Sequence, residues 1–341
     1  MKCMVASKLL RRSLTIAAFL VCSTIYSHAI EPERVALPAA AGQGVDRSVR
    51  RDLKAGRADD AISLLQQQLS KDPAKAAAHN LLCRVYLQEE RWSEAESECA
   101  RAVELAPGNS AYHQWLGRAY GGAAAHASLA SAYILAKKVH AEFETAVRLD
   151  PENVSALSDL GEYLVDVPRI LGGGAAYAEQ ISQQLAHLNA SRYHELQARI
   201  DEKKSDFSGA EQQWKLAIQS SSYPADEWMN LAGFYADRKN FPAMQQAIQN
   251  GIAADPAKGK ALVLGATLLL QKHQDLQLAE QMLRRYLASR QQSEEAPAFQ
   301  VYVQLGELLA SQGDAADAQR EYAAAHALAS NYAPARQAPR G

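Results

Sequence analysis

An all-α chain of about eight stacked helical hairpins is the fold that this sequence predicts, and three observations carry the prediction. Residues 76–109, AAAHNLLCRVYLQEERWSEAESECARAVELAPGN, align with the segments before and after them at a shift of 34 residues. Each half of that stretch repeats its apolar residues with helical period. Pro73, Pro107, Pro151 and Pro256 close units at corresponding places, where a helix must stop.

Within residues 76–109, His79, Leu82, Cys83 and Tyr86 fall on one side of a first helix, and Ala95, Cys99 and Ala102 on one side of a second. These faces pack together. Small side chains at Cys83 and Ala95 permit close approach, Tyr86 fills the space beside them, and Pro107 with Gly108, a residue that readily takes left-handed angles, ends the second helix. One such hairpin buries too little surface to be stable alone, so neighbours must complete its core.

The order large, small, aromatic (Leu82, Cys83, Tyr86), then small, bulky, small and proline (Ala95, Cys99, Ala102, Pro107) resembles the tetratricopeptide repeat. The resemblance implies an α-solenoid, a right-handed superhelix whose concave surface is lined by first helices. Residues 45–332 form it. The unit at 45–73 has a weak first helix, expected of a terminal repeat whose outer face meets water, and a good second one in Ala61, Leu65 and Leu69. The third unit begins with Trp115, Leu116, Gly117 and Tyr120 but reaches Phe143 about ten residues late. Both helices are extended there, or a short helix is inserted. In the fourth unit, Pro168-Arg169-Ile170-Leu171-Gly172-Gly173-Gly174 interrupts the pattern before Ala178 resumes it. Later units centre on Trp214, Trp228 with Tyr235, Leu269 with Tyr286, and Leu305 with Tyr322. Residues 333–341, with two prolines and two arginines, are expected to be disordered.

At the other end, Lys2, Lys8, Arg11 and Arg12 precede an apolar run, residues 14–26, that is short for a bilayer span and ends in Ser27-His28-Ala29. Residues 1–29 read as a secretory signal cleaved after Ala29, with a lipid anchor at Cys22 opposed by Val21 where a small residue is wanted. Residues 30–44 follow as a flexible lead-in. The predicted location is periplasmic or secreted, and no membrane span remains in the mature chain. Loss of residues 1–29 removes four basic and no acidic residues, so the formal charge falls from −2 to −6, which disfavours nucleic acid as a partner. Asn153-Val154-Ser155 and Asn189-Ala190-Ser191 fit the glycosylation acceptor pattern, which matters only in a eukaryotic secretory host.

No catalytic, metal or cofactor pattern emerges. Gly172-Gly173-Gly174 heads a helix but lacks the Gly-Lys-Ser/Thr ending of a phosphate loop, and a turn explains it. The histidines lack metal-ligand spacing. The function predicted is therefore non-enzymatic: a scaffold holding a peptide or helix of an envelope or secretion partner in its groove. The alternative is an accessory subunit that recruits an envelope enzyme through residues 121–174.

Candidate groove residues follow from the repeat. Arg50, Arg84 and Arg118 recur at one-repeat intervals, each about 150° around its helix from the packing face, and are expected to be exposed. Asn80 and Gln114 stand one turn earlier. The resemblance implies that these five line the concave surface, where arginines would grip an acidic peptide or a C-terminal carboxylate. Cys83 and Cys99 sit on facing sides of antiparallel helices at similar height; a disulfide and a pair of reduced core thiols both satisfy that placement.

Overall fold

The computed structural model describes residues 43–257 and 259–336. They contain sixteen α-helices and no β-strand, an all-α helical-repeat solenoid. Named in chain order, the helices are α1 (Gln43–Lys54), α2 (Ala58–Lys71), α3 (Ala76–Gln88), α4 (Trp92–Leu105), α5 (Ser110–His126), α6 (Leu129–Leu149), α7 (Val154–Asp166) and α8 (Ala175–Leu188). They continue with α9 (Ala190–Lys203), α10 (Phe207–Ser220), α11 (Pro224–Asp237), α12 (Phe241–Ala253), α13 (Ala261–Gln271), α14 (Leu276–Leu287), α15 (Ala298–Ser311) and α16 (Ala315–Leu328). The signal segment, most of the lead-in and residues 337–341 lie outside the described residues; α1 opens at Gln43, inside the stretch expected as lead-in.

Two compact units result. The first comprises residues 72–210 and is built from the hairpins α3–α4, α5–α6, α7–α8 and helix α9. Its core is the predicted one: Leu82, Cys83, Tyr86, Ala95, Cys99 and Ala102 are buried, as are Trp115, Leu116, Phe143 and Ala146. Asn109, Asn153 and Asn189 cap α5, α7 and α9, each side-chain oxygen accepting from the backbone N–H three residues on. The two glycosylation-like asparagines are thus helix caps, and Asn153 also donates from Nδ2 to Ser110 Oγ at 2.9 Å.

The period breaks by elongation. Helix α5 has 17 residues and α6 has 21, against 13 and 14 in α3 and α4. Trp92 supports the added length: its ring stacks on His126 with centroids 5.1 Å apart and fills the space that a side chain at Gly122 would need.

The second unit comprises residues 211–336 and, from the other end of the sequence, the hairpin α1–α2. That hairpin was expected to turn a free face to water as a terminal repeat. Instead it packs on the last repeat. The Asp59 carboxylate accepts from the Ser330 backbone N–H at 2.9 Å, and α2 touches α16. Gly56, at φ +65°, sits so close that a Cβ would lie 2.4 Å from the Ala298 nitrogen. The expected disorder of residues 333–341 is also corrected as far as residue 336. Pro334–Arg336 form a 3-10 turn, Ala335 is buried, Tyr332 packs edge-on against Phe299 at 4.9 Å, and Arg336 Nε donates to the Ser330 carbonyl. Tyrosine and alanine in this tail supply enough apolar contact to order it despite the prolines.

Candidate functional site

The first-helix row is not an open ladder of guanidinium groups. Arg50 belongs to the second unit and is exposed there. Arg84 and Arg118 belong to the first and are only 5% and 6% exposed. Both guanidinium groups lie over the ring of Trp115, each 4.6 Å from its centroid. Arg118 also makes two parallel bonds to Asp159 of the next first helix, Nε to Oδ2 at 2.7 Å and Nη2 to Oδ1 at 3.1 Å. Gln114 Nε2 donates to Asp159 Oδ2 at 2.8 Å and to Ser155 Oγ at 2.6 Å. Asn80 is 3% exposed, and its Nδ2 is buried without a hydrogen-bond partner.

The expectation of exposed arginines at 84 and 118 is therefore corrected. A helical wheel places a residue relative to its own hairpin. It omits the acid that the next first helix brings opposite. Asp159 is the residue that sequence reasoning missed, and it takes the position that an incoming carboxylate would occupy on Arg118. Trp115, read as core, is a platform for two cations as well.

Cys83 and Cys99 are joined in a disulfide with their Cα atoms 5.3 Å apart, both fully buried between α3 and α4. Beside them each of two first helices is tied to its partner by a histidine. His79 Nδ1 meets Glu98 at 2.6 Å and Nε2 the Pro73 carbonyl at 3.0 Å. One repeat later, His113 meets Glu142 and the Pro107 carbonyl at the same distances. At His113 both ring nitrogens face acceptors, an arrangement that only the protonated ring satisfies fully. The hydrogen bond to Glu142 accordingly raises the pKa of His113 above the ordinary imidazole value, against burial and the charge of Arg148.

The glycine-rich loop is a built turn. Gly172, Gly173 and Gly174 donate their amides to the carbonyls of Arg169, Pro168 and Leu164. None is left to cradle a phosphate. A Cβ on Gly173 would lie 1.9 Å from the Val167 oxygen. The Tyr163 hydroxyl, whose pKa is pushed up by burial, reaches the carbonyls of Ala136 in α6 at 2.7 Å and Leu171 at 3.0 Å. Gly172 abuts the His140 ring. The loop is thereby held against the outer half of α6.

Exposed apolar residues are concentrated in this stretch of the chain. Of the eight large hydrophobic side chains exposed among the described residues, five lie here: Leu129 (46%), Tyr133 (36%), Ile134 (59%), Ile170 (74%) and Tyr177 (55%). Tyr133 and Leu129 are within about 60° of Ala136 around α6, on the side that meets the loop, and Ile134 follows on the solvent face. Arg169 and Tyr177 flank the same Gly174 position, at 3.7 and 3.8 Å from a built Cβ. Among the described residues no group of three His, Cys, Asp or Glu is arranged to hold a metal, and no helix is long and apolar enough to cross a membrane.

Residues 52–119 match the family model of the tetratricopeptide repeat. Over this stretch the chain carries tetratricopeptide repeats. Among solved structures, the chain is similar to yeast Tom70, at 17% identity and a TM-score of 0.56, over 96% of this chain and 68% of that one. A tetratricopeptide protein of Thermus thermophilus matches at 19% identity and a TM-score of 0.49, over 57% of this chain and 100% of the other. No curated protein matches the sequence significantly. At these identities the likeness to solved structures concerns the fold.

Proposed function

We propose that this protein is a non-catalytic scaffold of the cell envelope, periplasmic or secreted, which docks a partner protein on the outer end of the α5–α6 hairpin and the adjoining glycine-rich loop. One observation carries the reading: exposed apolar surface is concentrated in the stretch where the chain departs from its 34-residue period. Repeats that only stack have no use for it, because exposed apolar side chains scattered singly are ordinary whereas their concentration in one part of a chain points to an interaction site. Insertions in repeat proteins extend one face, and often the binding one. A recruited envelope enzyme fits this surface as well as a structural partner does. Export is supported by the signal-like residues 1–29 and by the Cys83–Cys99 bridge, a bond that persists in oxidising compartments.

Binding of an acidic peptide along Asn80, Arg84, Gln114 and Arg118 is the second reading, favoured by the partnerless Asn80 Nδ2. It requires a ligand carboxylate to displace Asp159 from Arg118, and for that reason the hairpin end is preferred.

Photo-crosslinking residues installed at Ile134 and Ile170 in cells, with Arg320 on α16 as an exposed control, test the proposal. One dominant adduct is expected from 134 and 170 and none from 320. Absence of adducts at the hairpin end, or the same adducts from all three sites, rejects it. Fractionation with N-terminal sequencing checks the location: an unprocessed chain in the cytoplasm rejects export.

A further inference from the structure

We infer that the segment taken by the hairpin end is an amphipathic helix whose apolar stripe is flanked by carboxylates. The inference rests on the docking surface proposed above and adds the chemistry of its occupant. Three features select it.

The first is charge. No acidic residue occurs between residues 105 and 141 or between 167 and 178, although the whole chain carries 38 acidic against 36 basic residues. Lys137 and Arg169 are exposed within the apolar patch, and the Lys137 ammonium lies 4.9 Å from the Tyr133 ring centroid. Of the flanking carboxylates, Glu144 is engaged with His140 at 3.4 Å and Glu179 with Lys204 at 3.6 Å, and Asp166 precedes the loop. The surface is a cationic, apolar island on an acidic protein, and a partner of complementary charge is steered to it.

The second is backbone. The patch consists of the side of α6, the start of α8 and a 3-10 turn, with its loop amides bonded internally. It offers no strand edge, so a partner cannot add as a β-strand and must bind through side chains, as a helix laid on its apolar face does.

The third is the number of cations. Lys138 is turned toward Glu96 at 3.5 Å and over the Tyr120 ring at 4.6 Å, which leaves Lys137 and Arg169 to face an occupant. Anionic bilayers are held by clusters of about four to eight basic residues, and two are too few. A second copy of this chain would bring like charges together.

The test uses the chain from residue 30 onward and two synthetic amphipathic helices of about five turns with identical leucine stripes, one flanked by Glu and one by Lys. Fluorescence anisotropy is expected to give at least tenfold tighter binding of the Glu probe, with the difference shrinking as salt is raised. In K137E/R169E the preference should invert. In I134S/I170S both probes should weaken, while circular dichroism and melting stay unchanged because both side chains are exposed. Equal affinity for the two probes, or an unchanged preference in K137E/R169E, overturns the inference. So does co-sedimentation with phosphatidylglycerol vesicles without probe binding, which assigns the surface to a bilayer, or a dimer in sedimentation that dissociates in I134S/I170S. Crosslinks from position 170 in cells combined with indifferent probes remove the partner chemistry alone. Absence of crosslinks removes the docking surface as well.

Discussion

Asp159 decides what the arginine row can do. A charge buried with its partner is tolerable, whereas the same charge left alone is not, and removal of one member of such a pair typically costs about 3–5 kcal/mol. Asp159→Ala should therefore lower the melting temperature sharply, and Arg118→Ala should do likewise by leaving the carboxylate stranded beside Gln114. Thermal unfolding of the two single variants checks this; near-wild-type melting of both would make the pair a surface contact. His113 behaves differently because it titrates. Its folded-state pKa is raised, so the stability it contributes is fully present below the ordinary imidazole value of 6.5 and is lost as the pH rises through the higher folded value. Melting should thus fall from slightly acidic to mildly alkaline pH, and this part of the slope should vanish in His113→Gln. An identical pH profile in the variant would assign the slope to other groups.

At the scale of elements, the loop at residues 167–174 positions the docking surface. Its constraint is steric. Gly173→Ala places a methyl group on the Val167 carbonyl, and the backbone must move to admit it. A global cost of about 1–3 kcal/mol is expected, with hydrogen exchange accelerating in residues 164–178 and leaving α3–α4 unaffected. If exchange in this segment were unaltered, the turn would not be the rigid support described. The pairing of long helices α5 and α6 was open in the sequence as one of two solutions to a late Phe143. Elongation prevails because Trp92, His126 and Gly122 give the added turns something to pack on.

For the whole molecule the instructive contact joins sequence ends. Hairpin α1–α2 shares a unit with α15–α16, through Asp59 to Ser330 and the close fit of Gly56 on Ala298. Deleting residues 43–71 should expose the face of the last repeat, so that residues 298–336 become the first to be cut by protease, while residues 72–210 remain resistant. Equal resistance of the last repeat in the intact and shortened chains would show that the hairpin adds nothing to it.

The repeat, the hairpin cores and the positions of the breaks in period are properties of the sequence alone, because a helix buries whatever recurs on one face and proline and glycine end it wherever they occur. Leu82, Tyr86, Phe143 and Ala146 were legible for that reason. Only the tertiary structure decided which exposed-looking positions are exposed. Arg84 is covered by Trp115 of the next repeat and Arg118 by Asp159 of the first helix after it, and the tail to residue 336 is ordered because Phe299 receives Tyr332. The candidate surface at Leu129, Tyr133, Ile134, Ile170 and Tyr177 was legible only as an irregularity in length. Its apolar face exists because Tyr163, far from the surface in its chemistry, holds the loop against α6 with one hydroxyl, and contacts between segments of unequal spacing leave no period to read.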